Sequence, residues 1–263
     1  MITIEKLRVE GEQRALYISL FGVFILLFFL IGISLGLFIF LFIIIIVSVQ
    51  MAKSRQLGNS VLITPKQFSE IFELCNDVAL KLNMHMPKVY IYQDPTLNAY
   101  ALSNINQEDK GIVVFHSALV EALSHDELKT VIAHEFAHIK CNHTRWGLIT
   151  NLHGQYYIPI LSDILNLITS YYSRKCETTS DRAGLIVVKN LEVSATTLIK
   201  LAIGKELYSQ INVEEFIKQA EAMEDDDFSN VSELALSHPM ILNRIKYLIN
   251  FYNSQEFKNL TSI

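Results

Sequence analysis

Cysteine and charge are both scarce in this chain of 263 residues. The three cysteines, Cys75, Cys141 and Cys176, have no CxxC spacing and give no disulfide framework, which fits a reducing compartment. Only 19% of the residues are charged and the net charge is -5, so nothing favours nucleic acid as a partner. The length predicts one domain with appendages.

The longest uncharged stretch lies near the N-terminus, where none of the 38 residues from 15 to 52 is charged. One membrane span needs about 20 apolar residues, whereas a straight helix of this length would measure roughly 57 Å against about 30 Å of hydrocarbon. Gly32, Ser34 and Gly36 interrupt the middle of the run. We therefore predict a transmembrane hairpin within residues 17–50, with one long tilted span as the alternative.

The two spans of the hairpin would be residues 16–31 and 37–49, and the run is far too long for a cleaved signal peptide. Basic residues flank it on both sides: Lys6, Arg8 and Arg14 before it, and Lys53, Arg55 and Lys66 after it. Positive flanks favour the cytoplasmic side. We expect an integral protein of the cell (inner) membrane, in contact with the lipid bilayer. Residues 1–16 would form a cytoplasmic segment and residues 51–263 a cytoplasmic domain.

His134-Glu135-Phe136-Ala137-His138 has the form H-E-x-x-H. Two histidines four residues apart on a helix lie one turn apart on the same face, so both imidazoles can reach one metal ion. Glu135 lies beside that face, where its carboxylate can take a proton from water that the metal activates. We predict that His134 and His138 bind Zn²⁺ and that Glu135 is the general base. The alternative is a pair of partly buried histidines on an ordinary helix.

A capping box marks the start of the helix that carries this motif, because Ser124 is followed three residues later by Glu127. An apolar stripe follows at helical spacing, formed by Leu128, Ile132, Phe136 and Ile139. One face of the helix is therefore expected to pack on the core while the other presents the two histidines.

Three short segments before the histidine motif, 87–92, 97–102 and 111–116, have the pattern of β-strands and predict a small sheet. A helix is predicted before them, from Thr64 to about residue 81. An extended peptide can add to the edge of such a sheet, and Asn98 would then hold its backbone. A turn or strand-end asparagine is the alternative.

A catalytic zinc site has three protein ligands and one open position. His143 misses the metzincin spacing by one residue and points toward the apolar stripe on a helical wheel, so it is predicted to be structural. Glu177 and Asp181 share one helical face, which predicts Glu177 as the third ligand and Asp181 as the acceptor for the outer N–H of a ligand histidine. Gly184 on the same face indicates a close helix approach. The alternative is a solvated acidic face.

The C-terminal part is read as helices joined by polar loops. Residues 160–172 predict an amphipathic helix that covers the active site, lies on the membrane or packs in the core. Ser237-His238-Pro239 predicts the start of a last helix. By spacing alone, His238 is a capping residue and Arg244 a surface residue.

Taken in order, four motifs resemble the membrane-bound gluzincin family that holds the HtpX-type heat-shock proteases and the type 1 CAAX prenyl proteases. The matching pieces are Asn98-Ala99-Tyr100-Ala101, His134-Glu135-x-x-His138, Ser173-Arg174-x-x-Glu177-x-x-x-Asp181, and Ser237-His238-Pro239 with Arg244. The resemblance covers about residues 60–255. It implies an α+β, mainly α zinc peptidase domain with a small sheet, here preceded by the transmembrane hairpin.

The resemblance also implies one zinc ion per chain and a role for each matched residue. The zinc ligands would be His134, His138 and Glu177, with Glu135 as the general base. The residues that contact substrate would be Asn98, Ala99 and Tyr100. The supporting residues would be Asp181 beside a ligand, and His238 and Arg244 near the transition state.

The HtpX-type proteins usually carry further membrane spans between the histidine motif and the third ligand, whereas here only 38 residues separate His138 from Glu177 and those spans are lacking. The chain thus resembles a compact member. We expect a membrane-anchored zinc metalloendopeptidase with polypeptide substrates, unfolded or membrane proteins, in membrane-protein quality control. One alternative is a non-catalytic zinc-binding or chaperone-like protein, whose site Cys141 or His143 would close. The other is a zinc hydrolase acting on a lipid-linked group.

Overall fold

The structure, a computed structural model, describes residues 3–31, 35–102, 111–144, 161–212, 214–216, 218 and 240–262. The helices that precede the sheet are α1 (Ile4–Leu7), α2 (Glu12–Ile31) and α3 (Leu35–Gly58). The strands are β1 (Ser60–Leu62), β2 (Lys88–Tyr92), β3 (Ala99–Leu102) and β4 (Ile112–His116). The remaining helices are α4 (Ser69–Lys81), α5 (Ser117–Ala122), α6 (His125–Lys140), α7 (Leu161–Val188), α8 (Leu191–Ile203), α9 (Lys205–Tyr208), α10 (Ile241–Asn253) and α11 (Gln255–Thr261).

The four strands form one sheet in the order β1-β2-β4-β3, with β2 and β4 parallel and the outer pairs antiparallel. Together with the surrounding helices, this sheet confirms the predicted mainly helical α+β fold. The strands predicted at 87–92, 97–102 and 111–116 are confirmed as β2, β3 and β4. The sequence prediction missed β1, because three residues are too few to show an alternating pattern.

Strand β3 forms one edge of the sheet and runs beside α6. It pairs with β4 from Ala99 opposite Phe115 to Leu102 opposite Ile112, and within the described ranges it pairs with no second strand. Every residue of β4 is buried, as expected for a strand covered on both faces. The open edge of the sheet therefore lies next to the helix that carries the histidine motif.

Helix α6 begins where the sequence predicts. Ser124 Oγ accepts the N–H of Glu127, and Glu127 Oε2 accepts the N–H of Ser124 at 2.8 Å, which is the predicted capping box. The other oxygen of Glu127 pairs with Lys200 Nζ at 2.7 Å and ties the start of α6 to α8. The predicted apolar stripe is buried, with Leu128, Ile132, Phe136 and Ile139 all at most 6% exposed.

Helices α6 and α7 cross closely at Gly184, which confirms the approach inferred from that glycine. A Cβ at this position would lie 3.0 Å from Thr130 Cγ2 and 3.1 Å from the Thr130 carbonyl oxygen. Thr130 Oγ1 donates to the carbonyl oxygen of Asp126 at 3.1 Å, so its side chain is held against its own helix. Because Gly184 has no side chain, the two helices can approach each other this closely.

Helix α4 starts later than predicted. Thr64 and Gln67 exchange two backbone hydrogen bonds of 3.1 Å, which close a tight turn instead of opening a helix. Phe68 then has a φ of 59°, in the left-handed region, and the helix begins at Ser69. Threonine and proline therefore marked a turn, which these residues form as readily as a helix start.

Helix α7 is one continuous helix of 28 residues, Leu161–Val188. It joins two segments that the sequence suggested separately, the amphipathic stretch from 160 to 172 and the helix of Glu177. Thr169, Ser170 and Tyr172 are buried, so this part of the stretch packs against protein. Three predicted features of the C-terminal part lie largely or wholly outside the described residues. They are a helix at 213–223, an acidic loop at 224–227 and the start of the last helix at 237–239.

The N-terminal segment packs against the helices that follow it. Leu7 is fully buried in the main core, and Ala15 is buried in a small cluster with Tyr172 and Cys176 of α7. Further along α2, Ser19 Oγ donates to the carbonyl oxygen of Ile168 at 3.1 Å. The start of α2 is thus held in the same packed body as α7.

The apolar run holds two helices, α2 and α3. Within the described residues, one helix is long and apolar enough to cross a membrane, over Glu12–Phe29. Several of its aromatic side chains are more than 60% exposed, namely Phe21, Phe24, Phe28 and Phe29. The hairpin and the domain boundary at residue 51 stay predictions.

Replacing Gly184 by alanine is expected to destabilise the protein. An added methyl group against Thr130 costs about 1–3 kcal/mol as overpacking, against a gain of about 1 kcal/mol in helix propensity. Gly58→Ala is the matched control, because nothing lies within 4 Å of a Cβ there. Thermal unfolding in detergent should show a lower midpoint for Gly184→Ala and an unchanged or higher one for Gly58→Ala. Equal midpoints for the two variants would contradict the close crossing.

Candidate metal centre

Helix α6 brings the two histidines of the motif together. His134 and His138 lie one turn apart, and their Nε2 atoms are 3.1 Å from each other. Both rings are only partly buried, with 14% and 15% of their side chains exposed. The two Nε2 lone pairs therefore converge on one point that is open on one side.

Helix α7 supplies the third group. Glu177 Oε2 lies 3.5 Å from His134 Nε2, and Glu177 Oε1 lies 3.4 Å from His138 Nε2. A tetrahedral zinc with bonds of about 2.0–2.1 Å needs ligand atoms about 3.3–3.5 Å apart. The oxygens of Glu177 match this spacing and the two nitrogens, at 3.1 Å, lie slightly closer together, and zinc accepts such a mixed set of donors.

Asp181 lies one turn after Glu177 and holds the outer side of the first histidine. Its Oδ1 is 3.0 Å from His134 Nδ1, so the ring can donate outward while Nε2 keeps its lone pair. Arg244 on α10 grips the same carboxylate with two hydrogen bonds of 2.8 and 2.7 Å. The centre is thus built from three helices.

The carboxylates around the centre favour a cation. Burial alone would lower the pKa of His134, but the hydrogen bonds and charges of Asp181 and Glu177 outweigh it and raise that pKa to about 10. Burial opposes ionisation of Asp181, yet the charge and hydrogen bonds of Arg244 hold its pKa below the usual range. Without metal, a proton is therefore attracted to the position that Zn²⁺ would occupy.

Glu135 is buried between the two histidines of α6, with 7% of its surface exposed. Burial lowers the pKa of Arg244, but the carboxylates of Asp181, Glu177 and Glu135 together raise it above its ordinary value. All three acidic groups therefore act on one guanidinium. Arg244 is not the surface residue that its spacing suggested, since only 15% of its side chain is exposed.

His143 is buried and lies outside the ligand cluster, as a structural residue would, but it does not point toward the apolar stripe as the helical wheel indicated. Its Nδ1 lies 3.2 Å from His138 Nδ1, on the outer side of the ring, and its Nε2 lies 3.1 Å from Glu12 Oε1. The helical wheel failed because α6 ends at Lys140 and Asn142 has a φ of 60°, which turns the chain. Sequence reasoning missed Glu12, because nothing in its position before an apolar run links it to the motif.

The side chains proposed to contact substrate lie at the start of β3. Asn98 is exposed, and its Oδ1 accepts the N–H of Ala99 at 2.9 Å. Ala99 packs toward the core, and Tyr100 faces the ring of His116 at 5.9 Å between centroids. A peptide on this edge would therefore meet chiefly backbone groups. His238 lies outside the described residues.

A pocket of about 270 Å³ opens beside the centre. Its lining residues come from α7 and α10 and are Tyr171, Arg174, Lys175, Thr178, Asp181, Asn243, Arg244 and Tyr247. The Asp181–Arg244 pair forms part of this lining, so the pocket adjoins the groups that hold His134.

Three ligand atoms converge in the part of the chain that the structure describes, those of His134, His138 and Glu177, all within 4.8 Å of one another. Cys141 and His143 do not join them. The rival interpretation of a closed structural zinc site needs a fourth protein ligand. The described residues do not supply one, and this favours a site with an open position.

Replacing Asp181 by asparagine is expected to weaken zinc binding about 10–100-fold, because His134 loses its charged acceptor. Competition with a chromogenic chelator would measure the dissociation constant for zinc. Asp77→Asn is the control, since Asp77 on α4 pairs with Lys81 and with Lys129 of α6, and neither lysine is a ligand. Unchanged affinity in Asp181→Asn would show that this carboxylate does not support the ligand.

Comparison with known proteins agrees with this geometry. The profile of peptidase family M48 matches residues 65–251. A relative from Arabidopsis thaliana, the chloroplastic plastoglobule-localized metallopeptidase 48, is 32% identical over 80% of this chain and 65% of its own length. A protease HtpX homolog from Bacteroides fragilis is 28% identical over 71% of this chain and 70% of its own length.

A second HtpX homolog, from Helicobacter pylori, is 34% identical over 44% of this chain and 34% of its own length. The match thus spans 65% of the Arabidopsis relative, 70% of the Bacteroides one and 34% of the Helicobacter one. No solved structure matches the chain significantly. The profile covers strands β2 to β4, the histidine motif, Glu177 and Arg244, so the chain belongs to peptidase family M48, a family of metalloproteases.

Proposed function

We propose that this chain is a membrane-anchored, zinc-dependent endopeptidase. The observation that carries the proposal is the convergence of three side chains: the Nε2 atoms of His134 and His138 are 3.1 Å apart, and the two carboxylate oxygens of Glu177 lie 3.4 and 3.5 Å from them. That spacing suits a tetrahedral ion with one position left for water or substrate. Two histidines and a glutamate are also the ligand set of known zinc proteases.

In the proposed mechanism, bound zinc would polarise the scissile carbonyl and make water acidic enough to react near neutral pH. Glu135 takes the proton from that water and delivers it to the departing amine. Burial beside Arg244 suits this role, because the guanidinium stabilises the carboxylate that must accept the proton. Asp181 keeps His134 oriented throughout.

Substrate would bind as an extended strand along β3. The edge of β3 has hydrogen-bonding groups to offer, and it runs beside α6, so an added peptide would reach the histidine pair in a fixed register. Asn98, Ala99 and Tyr100 would contribute mainly through their backbone. We propose that Arg244 assists near the transition state, and we retain His238 in the same role on the family resemblance alone.

The proposed substrates are polypeptides, unfolded or membrane proteins, met at a bilayer. The apolar exposed face of α2 supports anchoring, since a soluble surface rarely shows so many large aromatic side chains. One relative is named as plastoglobule-localized, a further association with lipid. Quality control of membrane proteins is the role this position suits best. A hydrolase for a lipid-linked group would be distinguished by substrate profiling.

Glu135→Gln is expected to bind zinc as tightly as the wild type and to lose about 10²–10⁴-fold in peptide hydrolysis, because the amide cannot accept the proton. Incubation of the detergent-purified protein with an unfolded membrane protein, alongside zinc quantification, measures both. Glu121→Gln, an exposed position on α5, is the control and should retain full activity. Turnover by Glu135→Gln would reject the mechanism, and inactive wild type with bound zinc would favour the non-catalytic alternative.

The proposed orientation predicts that a C-terminal reporter is active in the cytoplasm and inactive when it requires the periplasm or lumen.

The proposed hairpin predicts that the cysteine of Ser34→Cys reacts with a membrane-impermeant reagent added on the periplasmic or lumenal side. The native cysteines are all buried, so their background is low. With a single long span, residue 34 would sit within the bilayer and stay unlabelled.

A further inference from the structure

Each histidine that binds a metal through Nε2 carries a proton on Nδ1, and that N–H needs an acceptor. For His134 the acceptor is Asp181 at 3.0 Å. For His138 the facing atom is His143 Nδ1 at 3.2 Å. The two ligand histidines are therefore supported from different parts of the chain.

The directions of the hydrogen bonds follow from this requirement. Because His138 Nδ1 donates, His143 Nδ1 must accept, and the single proton of a neutral His143 then sits on Nε2. Nε2 lies 3.1 Å from Glu12 Oε1, so it donates to that carboxylate. Every ring nitrogen in the chain from His138 to Glu12 thus has one consistent role.

Glu12 is held firmly enough to anchor such a chain. It is 2% exposed, although a carboxylate is costly to bury without partners. Arg8 Nε lies 3.0 Å from Oε1, and Thr179 Oγ1 donates to Oε2. Arg8 also donates to the carbonyl oxygen of Cys141 at 2.9 Å, which fastens the N-terminal segment to the end of α6.

Thr179 gives a second connection between the N-terminal segment and the metal centre. Its Oγ1 accepts the N–H of Val9 at 3.3 Å and donates to Glu12, and it lies on α7 two residues from Glu177. The position of Glu12 is thereby fixed by both helices that supply the donor atoms.

We infer that Glu12 and His143 are positioning residues for the metal centre, which hold the ring of His138 through a chain of two hydrogen bonds that begins in the N-terminal segment. The inference rests on the proposed ligand role of His138. It gives the segment before the apolar run a part in binding the metal, in addition to any part in anchoring.

Zinc affinity tests the inference without reference to activity. The full chain is purified in detergent, stripped of metal and titrated with zinc against a competing chelator. The leucine and asparagine side chains introduced by His143→Leu and His143→Asn have nearly the same shape. Only asparagine, however, offers an oxygen close to the position of His143 Nδ1. We expect His143→Leu to weaken zinc binding about 10–100-fold and His143→Asn to weaken it less, because asparagine keeps an acceptor for His138 but has no atom at the Nε2 position to reach Glu12.

Glu12→Met provides a second, independent measurement. It should weaken zinc binding in the wild-type background and have no further effect beside His143→Leu, because the chain is then already broken. Ser19→Ala is the control on the same helix, since it removes a hydrogen bond between α2 and α7 but leaves the hydrogen bonds of His143 in place. Thermal unfolding of the metal-free variants verifies that each one is folded.

The outcomes separate this inference from the proposed function. Loss of zinc binding in His138→Ala alone tests the ligand assignment, whatever His143 does. Equal affinities for His143→Leu and His143→Asn would overturn the positioning role while the zinc site stands. An effect of Glu12→Met that is as large beside His143→Leu as in the wild type would overturn it too, as would a matching loss in Ser19→Ala. If His143→Leu does not fold, Glu12→Met decides by whether its zinc affinity falls while that of Ser19→Ala does not.

Discussion

The contact of Gly184 with Thr130 is the constraint on which the metal centre depends. Two donors come from α6 and the third from α7, so the distance between these helices sets the distance between the donors. A methyl group at this position would lie 3.0 Å from Thr130 Cγ2, which is closer than ordinary van der Waals contact, so the two helices would have to move apart. Metal ligation tolerates little error of this kind, since bond lengths vary by about 0.2 Å.

The second feature of the centre is its accumulation of charge in a largely buried site. Glu177, Asp181 and Glu135 all act on Arg244, which holds Asp181 with two hydrogen bonds and lies 3.7 Å from Glu177 Oε2. Arg244 offsets part of the repulsion, and a divalent cation would offset the rest. The carboxylates that attract a metal ion therefore repel one another when the metal is absent. The stability of the α6–α7–α10 arrangement is thereby coupled to metal binding.

Much of this arrangement was predictable from local patterns. The capping box at Ser124, the stripe from Leu128 to Ile139 and the glycine at 184 each act within a few turns of helix, where residue spacing has a fixed meaning. The role of Glu177 could be predicted because a glutamate and an aspartate four residues apart lie on the same face of a helix. Prediction failed where the backbone leaves a regular element, at the turn of Thr64 and at His143 beyond the end of α6.

Long-range partners were the other limit. No spacing rule connects Glu12 to His143, which is 131 residues away in the chain. The bidentate grip of Arg244 on Asp181 was likewise hidden, because a helix wheel says which face a residue lies on but not which element packs there. Such pairings are consequences of tertiary packing, and a single sequence records them only through the residues that happen to be compatible.

The burial of Leu7, Val9 and Glu12 has a practical consequence for the preparation of a shortened chain. A chain begun after residue 50 would lack all three residues, and His143 would lose its hydrogen bond to Glu12. A shortened chain should therefore keep residues 3–15, joined to the residues after 50 by a flexible linker. The segment in front of the apolar run belongs to the same packed body as the two helices that carry the histidine pair and Glu177.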